Sequence, residues 1–433
     1  MKKDLTKKFP NLSIKNVYEE YINGLKRKPI TIRKEENFID RGKEVEENLF
    51  KFFSTNLNAF KNKSKTKQDH SFLYCINGSG LGKTWFGKRI PIYLQNWCKI
   101  NNLNYQVDYL YFDFSNGSRW RDETRISSDI NTQFSLRLLH LLTESRDLEI
   151  LETEIALKYG KQTEIFFSEV MKYYSNSKVL REKTIISEPL LLIFHFDELQ
   201  FNPNNAQYLL HVIADYMCSS NVDSNSIIDN IVLFPVITGT SSFGFKQKVT
   251  NYSSEYIDLP PFTFQESISF LEKRSTNYIE EQFFKYLIDS CGGVPRFLEC
   301  LSIASNEAYK FFEREDDYNL FSPNLNWQST VSKEITKLFI KEIKARYKTQ
   351  DWISTLKELG GDFAPQTILS LALLGTSIDK NKKLSDFNEK NNPISLEELQ
   401  TTGIFYLNSV KNQFHKYQVF LPLISVDLMN KSI

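Results

Sequence analysis

Apolar and polar positions fall into alternating blocks along this chain, and the blocks predict strands and helices in turn. Phe72–Ile76 is a short, mostly apolar run suited to a buried strand, and Thr84–Cys98 behind it has helical spacing. Val107–Phe114 alternates as a second strand should, and Ser128–Leu142 is a second helical pattern. Leu190–Phe196 is continuously apolar, as expected of a strand buried on both faces of a parallel sheet. Ala206–Met217 is helical again, and Ile231–Ile237 is a fourth central strand. Such alternation predicts an α/β fold with a parallel sheet flanked by helices. Residues 147–186 interrupt it as a helical insertion of mixed charge.

The flanks differ. Residues 1–35 form a polar, lysine-rich lead, followed by helical spacing over Val45–Phe53. After Leu259–Pro261 the pattern turns helical, over Glu266–Arg274, Glu280–Ser290 and Arg296–Phe311, with Gly292 and Gly293 as a stop and Pro295 opening the next helix. The last hundred residues carry helical patterns at Lys333–Tyr347 and Gln366–Leu374, then a capping box from Ser395 to Glu398. Two alternating runs, Ile404–Leu407 and Tyr417–Leu421, flank a polar link. Helices followed by a two-stranded wing predict a winged-helix domain. The expected organisation is a lead at 1–35, an α/β core at 36–258, a helical lid at 259–325 and the winged helix at 326–433.

Composition narrows this only a little. At 433 residues, with 41% hydrophobic and 25% charged residues, the chain has material for about two to four globular domains. A net charge of +1 gives no global pull toward nucleic acid, so any such site must be local. The five cysteines lack metal-ligand spacing and cannot all pair internally, which predicts a reduced, intracellular protein. No apolar run approaches a membrane span, so no membrane partner is expected.

Chemistry concentrates after the first strand. Asn77–Thr84 follows the pattern G-x-x-x-x-G-K-[ST], except that Asn77 stands where its first glycine would be. Between a strand and a helix such a turn cradles phosphates with backbone N–H groups. Asn77, Gly78, Ser79, Gly80, Leu81 and Gly82 would form the cradle, Lys83 would reach the β and γ oxygens, and the Thr84 hydroxyl would bind Mg²⁺. Asn tolerates left-handed backbone, so the turn can form, at some cost in nucleotide affinity. The run ending in Asp197 and Glu198 places two carboxylates at a strand's C-terminal end, where open α/β sheets bind ligands. Asp197 would hold the Mg²⁺ shell, and Glu198 would orient or deprotonate the attacking water. If the fourth strand lies between the first and third, Thr238 or Thr240 can touch the γ-phosphate or the water. Arg296 opens a lid helix and is a candidate γ-phosphate sensor. Arg89, Arg119, Arg121 and Arg125 are candidate trans-acting fingers for a homo-oligomer. His195 is expected to be a packed core histidine, and Glu342 with Lys344 a solvated helix face. Serine-hydrolase and zinc-protease motifs are absent from the sequence.

As an ordered set these pieces resemble the P-loop ATPase module shared by Crinkler-type effectors and retrotransposon hot spot proteins, which belong with AAA-like and STAND-like NTPases. The lead from Phe38 through Arg41 to Glu44, Tyr111–Gly117, Phe134–Leu139, Asp197–Gln200, Thr238–Thr240, Leu259–Pro261 and Gly292–Arg296 follow that module's order. The resemblance covers about residues 36–305. It implies a P-loop NTPase core with a helical lid and a C-terminal winged helix, using ATP and Mg²⁺. Nucleotide state would then control a macromolecular partner, DNA or an effector protein, with Lys411, His415 and Lys416 near the wing tip as DNA contacts. The alternative is a switch or scaffold that binds nucleotide without hydrolysing it.

Overall fold

The computed structural model describes residues 39–115, 125–142, 147–161, 163–171, 174, 189–199, 203–219, 230–240, 252–274, 282–313, 325–347, 352–379, 382–383, 394–409, 416–422 and 424–425. Helix α1 (Lys43–Lys61) leads into β1 (Ser71–Ile76) and α2 (Lys83–Ile100). Then come β2 (Gln106–Asp113), α3 (Ile130–Leu142), α4 (Leu148–Tyr159), β3 (Leu190–Asp197), α5 (Pro203–Ser219), β4 (Ile231–Gly239) and β5 (Ser253–Tyr256).

These five strands form one parallel sheet in the order β2-β3-β4-β1-β5. The fourth strand therefore does lie between the first and third, with Asp197 in register with Thr238. Every residue of β3 and β4 is buried, which explains their unbroken apolar sequences. Side-chain parity splits the sheet into two packed layers. Leu73, Leu191, Ile193, Phe234 and Val236 face α1 and α2. Phe72, Phe112, Leu192, Phe194 and Phe196 face α3, α4 and α5. Strand β5 has no apolar run to announce it; it is a four-residue edge strand of Ser, Ser, Glu and Tyr, half-exposed and paired only with β1.

The second half is helical. Helix α6 (Phe264–Glu272) starts with a capping box between Thr263 and Glu266. Helices α7 (Gln282–Ser290) and α8 (Pro295–Glu313) follow, and then the long α9 (Leu325–Tyr347). Beyond them lie α10 (Trp352–Gly360), α11 (Ala364–Leu374), β6 (Ile378–Asp379), α12 (Leu396–Leu399), β7 (Tyr406–Ser409) and β8 (Lys416–Phe420). The last three strands pair antiparallel in the order β6-β8-β7, so three helices and a three-stranded sheet make the winged-helix arrangement. The capping box predicted at Ser395 is present, with the Glu398 carboxylate accepting from the Ser395 backbone N–H at 2.7 Å. Helix α10 and strand β6 had no sequence expectation. Lid and winged helix share one continuous core: Leu271, Phe297 and Leu301 of the lid cluster with Phe339, Leu399 and Phe405 of the last domain.

Candidate nucleotide site

Strand β1 runs into the glycine turn, and the turn becomes α2 at Lys83. Gly82 caps that helix at φ 85°, ψ 23°, a left-handed backbone that a side chain would strain. The turn's carbonyls are each held by a different donor. Lys83 Nζ donates to Gly78 O at 2.8 Å, the Tyr406 hydroxyl to Ser79 O at 3.0 Å, Arg296 N to Gly80 O at 3.2 Å, and Arg41 Nη2 to Leu81 O at 2.5 Å. A trans peptide points its C=O and N–H in opposite directions, so anchoring four carbonyls turns the N–H groups of residues 79 to 82 the other way. These anchors fix the shape of the turn.

Asn77 corrects one expectation. Its φ is not in the left-handed region, where Lys63, Asn102 and Glu198 are the non-glycine residues among those described. Its side chain acts instead: the buried Oδ1 accepts from Leu259 N at 3.3 Å, tying the turn to the segment that leads into the lid.

The acidic pair divides its work. Asp197 is buried and accepts on both oxygens: Oδ1 from the Thr238 hydroxyl at 2.5 Å, and Oδ2 from Thr84 at 2.8 Å and Tyr111 at 2.9 Å. Glu198 sits at φ 57°, a conformation costing about 1–3 kcal/mol outside glycine, and it turns the carboxylate out of the sheet. There Glu198 Oε2 accepts from the Thr240 hydroxyl at 3.2 Å. Thr238 and Thr240 are thus distinguished: Thr238 is wholly buried against Asp197, while Thr240 faces the cavity.

That cavity, about 300 Å³, is lined by Ser79, Gly80, Gly82, Lys83, Thr84, Glu198, Thr240 and Arg296 at its polar end. Ile39, Arg41, Trp85, Phe262, Phe270, Arg274, Pro295 and Glu299 form the rest of the wall. Of the sequence-predicted residues, Asn77, Gly78, Leu81 and Asp197 do not reach this wall. Asp197 stands one side chain behind it, bonded to Thr84. Arg296 Nη1 donates to Ser79 Oγ at 3.1 Å. Lys83 is buried, and desolvation pushes its pKa down while nearby Glu198 opposes that shift. Burial likewise lowers the Arg41 pKa to about 10, leaving it charged at neutral pH, with its guanidinium 4.2 Å from the Phe262 ring centre.

Composition alone could not flag the apolar wall, although Arg41 lies in the lead motif noted in the sequence. Gln200, Arg119, Arg121, Lys411 and His415 lie outside the described residues, as do Asn116 and Gly117. Arg125 is engaged by Thr153, and Arg89 lines a separate recess beside Asp40 and Tyr93. Lys416 is exposed.

His195 is fully buried, as expected, but its surroundings are polar. Nδ1 is 2.7 Å from the Tyr109 hydroxyl, and Nε2 is 2.7 Å from Thr238 Oγ1. Burial pushes its pKa down to about 4, so it is neutral at physiological pH. Helix α2 makes room for the ring with Gly87, where an added Cβ would lie 2.2 Å from His195 Cε1.

The winged helix closes over the turn from the other side. An added Cβ at Gly78 would lie 2.7 Å from the Tyr406 ring, and one at Gly80 would lie 2.8 Å from the Tyr347 hydroxyl. No helix among the described residues is long and apolar enough to cross a membrane.

No protein-family model matches the sequence. No curated protein matches it either. Among solved structures, the Aeropyrum pernix ORC2 protein in its ADPNP–ADP complexes is 15% identical, over 94% of this chain and 97% of that one, with a TM-score of 0.45. The Aeropyrum pernix ORC1 protein in complex with DNA is 14% identical, over 91% and 93% of the two chains, with a TM-score of 0.40. Domain III of the Thermotoga maritima replication initiation protein DnaA is 15% identical, over 71% and 96%, with a TM-score of 0.32. Likeness at this level says nothing of activity or partner. The strand order, the glycine turn opening α2 and the carboxylates ending β3 make the fold an α/β parallel-sheet core of the P-loop nucleotide-binding class, with a helical lid and a winged helix.

Proposed function

We propose that this chain is a magnesium-dependent ATPase whose nucleotide state controls a macromolecular partner. One observation carries the proposal: Lys83, Thr84, Glu198, Thr240 and Arg296, from four separate parts of the sequence, line a single cavity at the C-terminal edge of the sheet. Lys83 would leave Gly78 O for the β and γ oxygens, and the N–H groups of the turn would hold the phosphates. The base would lie among Ile39, Phe262 and Pro295.

The residues present fit magnesium. Thr84 and Asp197 offer one hydroxyl and one carboxylate 2.8 Å apart, and this ion takes few protein ligands, completing its shell with phosphate and water oxygens. Magnesium bound there supplies charge neutralisation at the β and γ oxygens. Glu198, oriented by Thr240, would position the attacking water and take its proton. Arg296 would exchange Ser79 for the γ-phosphate and so draw α8 and the lid toward the nucleotide.

The sequence resemblance to the Crinkler and retrotransposon hot spot ATPase module supports this reading. Lys416, exposed at the start of β8, supports DNA as one partner class, with an effector protein the other, and a second copy of the chain would be the source of a trans-acting arginine. A non-hydrolysing switch is the second reading, favoured by the contacts of Tyr406 and Arg296 with the turn, which couple nucleotide entry directly to the last domain.

Steady-state phosphate release, with and without DNA, separates the two. Lys83→Ala should abolish nucleotide binding, and Glu198→Gln should bind normally while losing roughly 10²–10⁴ in turnover. Wild-type turnover by Glu198→Gln would remove Glu198 from its role. A wild-type chain that binds ATP and releases no phosphate would leave the switch.

A further inference from the structure

Given the function proposed above, we propose that Tyr109 and His195 are positioning residues that commit the single proton of Thr238 to Asp197 and so fix which carboxylate oxygen faces the metal. The proposal follows from a donor-by-donor account of three buried side chains, Asp197, Thr238 and His195, and the half-buried Tyr109.

The carboxylate of Asp197 accepts, and Thr238 Oγ1 is the donor to its Oδ1. Thr238 Oγ1, 2.5 Å from Oδ1, must therefore spend its one proton there. What remains on Thr238 toward His195 is a lone pair, so Nε2, at 2.7 Å, must be the donor. A neutral imidazole protonated on Nε2 has a bare Nδ1, and the phenol of Tyr109, 2.7 Å away, donates to it. The chain thus has one direction, from Tyr109 through His195 and Thr238 to Asp197. With Oδ1 held from behind, Oδ2 is the oxygen left beside the Thr84 hydroxyl, where the ion would sit.

The opposite tautomer would reverse the line. Thr238 would then donate to Nε2, Oδ1 would lose its donor, and the carboxylate would be free to turn. The direction is set at the Asp197 end; Tyr109 adds to it because a phenol, able to donate or accept, is the stronger donor, and two residues along β2 Tyr111 holds Oδ2 at 2.9 Å. The space for the imidazole is itself built. Helix α2 carries glycine at position 87 and no other residue would fit over the ring. A buried imidazole in an otherwise apolar strand costs several kcal/mol unless both nitrogens are bonded, and here both are.

The test uses the full chain with ATP and magnesium. His195→Leu keeps the bulk and removes both hydrogen bonds; His195→Gln restores a donor toward Thr238; Tyr109→Phe touches only the distal end. Expected is at least a tenfold rise in the magnesium concentration giving half-maximal phosphate release for His195→Leu. His195→Gln should recover most of that loss, and Tyr109→Phe should show a rise of a few fold. Affinity for ATP in excess chelator should stay within twofold of wild type throughout. ¹⁵N spectra of the imidazole should show Nε2–H in the wild type and a tautomer mixture in Tyr109→Phe.

An unchanged magnesium requirement in a folded His195→Leu, or in Tyr109→Phe should the leucine variant not fold, overturns the positioning role. An Nδ1–H tautomer in the wild type overturns the direction of the relay. The tautomer is read with no nucleotide present, so a chain that hydrolyses no ATP sinks the proposed function while the relay is still decided.

Discussion

The two faces of the central sheet are built from the same strands, one residue apart, and do different work. On the α3–α5 face, Phe112, Phe194 and Phe196 stack and edge against one another with ring centres 5.1 to 6.0 Å apart. On the other face, alternate residues of those strands, Tyr109, Tyr111, His195 and Asp197, form hydrogen bonds in one line. Burial is complete in both for His195 and its aromatic neighbours. What differs is whether a side chain holds by area or by direction. Dispersion and burial tolerate a shift of a few tenths of an ångström; a line of directed hydrogen bonds that ends on a carboxylate does not. One parity thus stabilises the strand and the other aims its last carboxylate.

The comparison breaks most plainly at Phe196. Phe196→Ala should cost about 3–5 kcal/mol of stability in urea unfolding, the usual effect of emptying an aromatic core position. The folded fraction should still bind nucleotide with wild-type affinity. If binding falls in proportion to the lost stability, the two faces are not separable.

Acid should act next, and on the polar face it acts through His195. His195 takes up protons near pH 6.5 in the unfolded chain but only near pH 4 when folded. Its contribution is therefore fully present above pH 6.5 and is lost as pH falls toward 4, by about 3 kcal/mol in all. Urea midpoints measured across that window should show the slope in the wild type and in Phe196→Ala, and should show a smaller one in His195→Gln, where buried His70 still contributes.

Gly87→Ala would press a methyl group into the imidazole. It should cost about 1–3 kcal/mol as overpacking, although alanine otherwise favours a helix. It should also raise the magnesium requirement, linking a steric change on α2 to the carboxylate. Tyr406→Phe touches neither face of the sheet but frees a carbonyl of the glycine turn. Losing its hydrogen bonds to Ser79 O and Gly403 O should cost about 1 kcal/mol, with the acid slope unchanged.

Periodicity made the strands of the sheet legible wherever burial demanded it. Leu190–Phe196 and Ile231–Ile237 have no polar face to show, and their neighbours are helices of clear spacing. Strand β5 escaped because an edge strand of Ser, Ser, Glu and Tyr buries too little to leave a pattern. The glycine turn between β1 and α2 and the acidic pair ending β3 were legible because their residue types follow a fixed spacing. The choice between Thr238 and Thr240 was not, since the two hydroxyls stand two residues apart, one in β4 and one just past its end, and differ only in the surroundings that the fold supplies. Asn77 was misjudged as a backbone feature because its role, a carbonyl oxygen offered to Leu259 N, depends on a partner 182 residues away. His195 was rightly placed in the interior. Its neighbours in sequence, Phe194 and Phe196, lie on the opposite face, so they described the wrong environment.

Tyr406 bonds a carbonyl of the phosphate turn across 327 residues of sequence. A ribosome adding about 5–20 residues each second needs roughly 15–65 seconds to span that interval. The nascent chain therefore presents the glycine turn long before Tyr406, whose hydroxyl holds Ser79 O, has been synthesised. The contact that ties the turn to the last domain is among the last the chain can make, so the final shape of the turn waits on the end of translation.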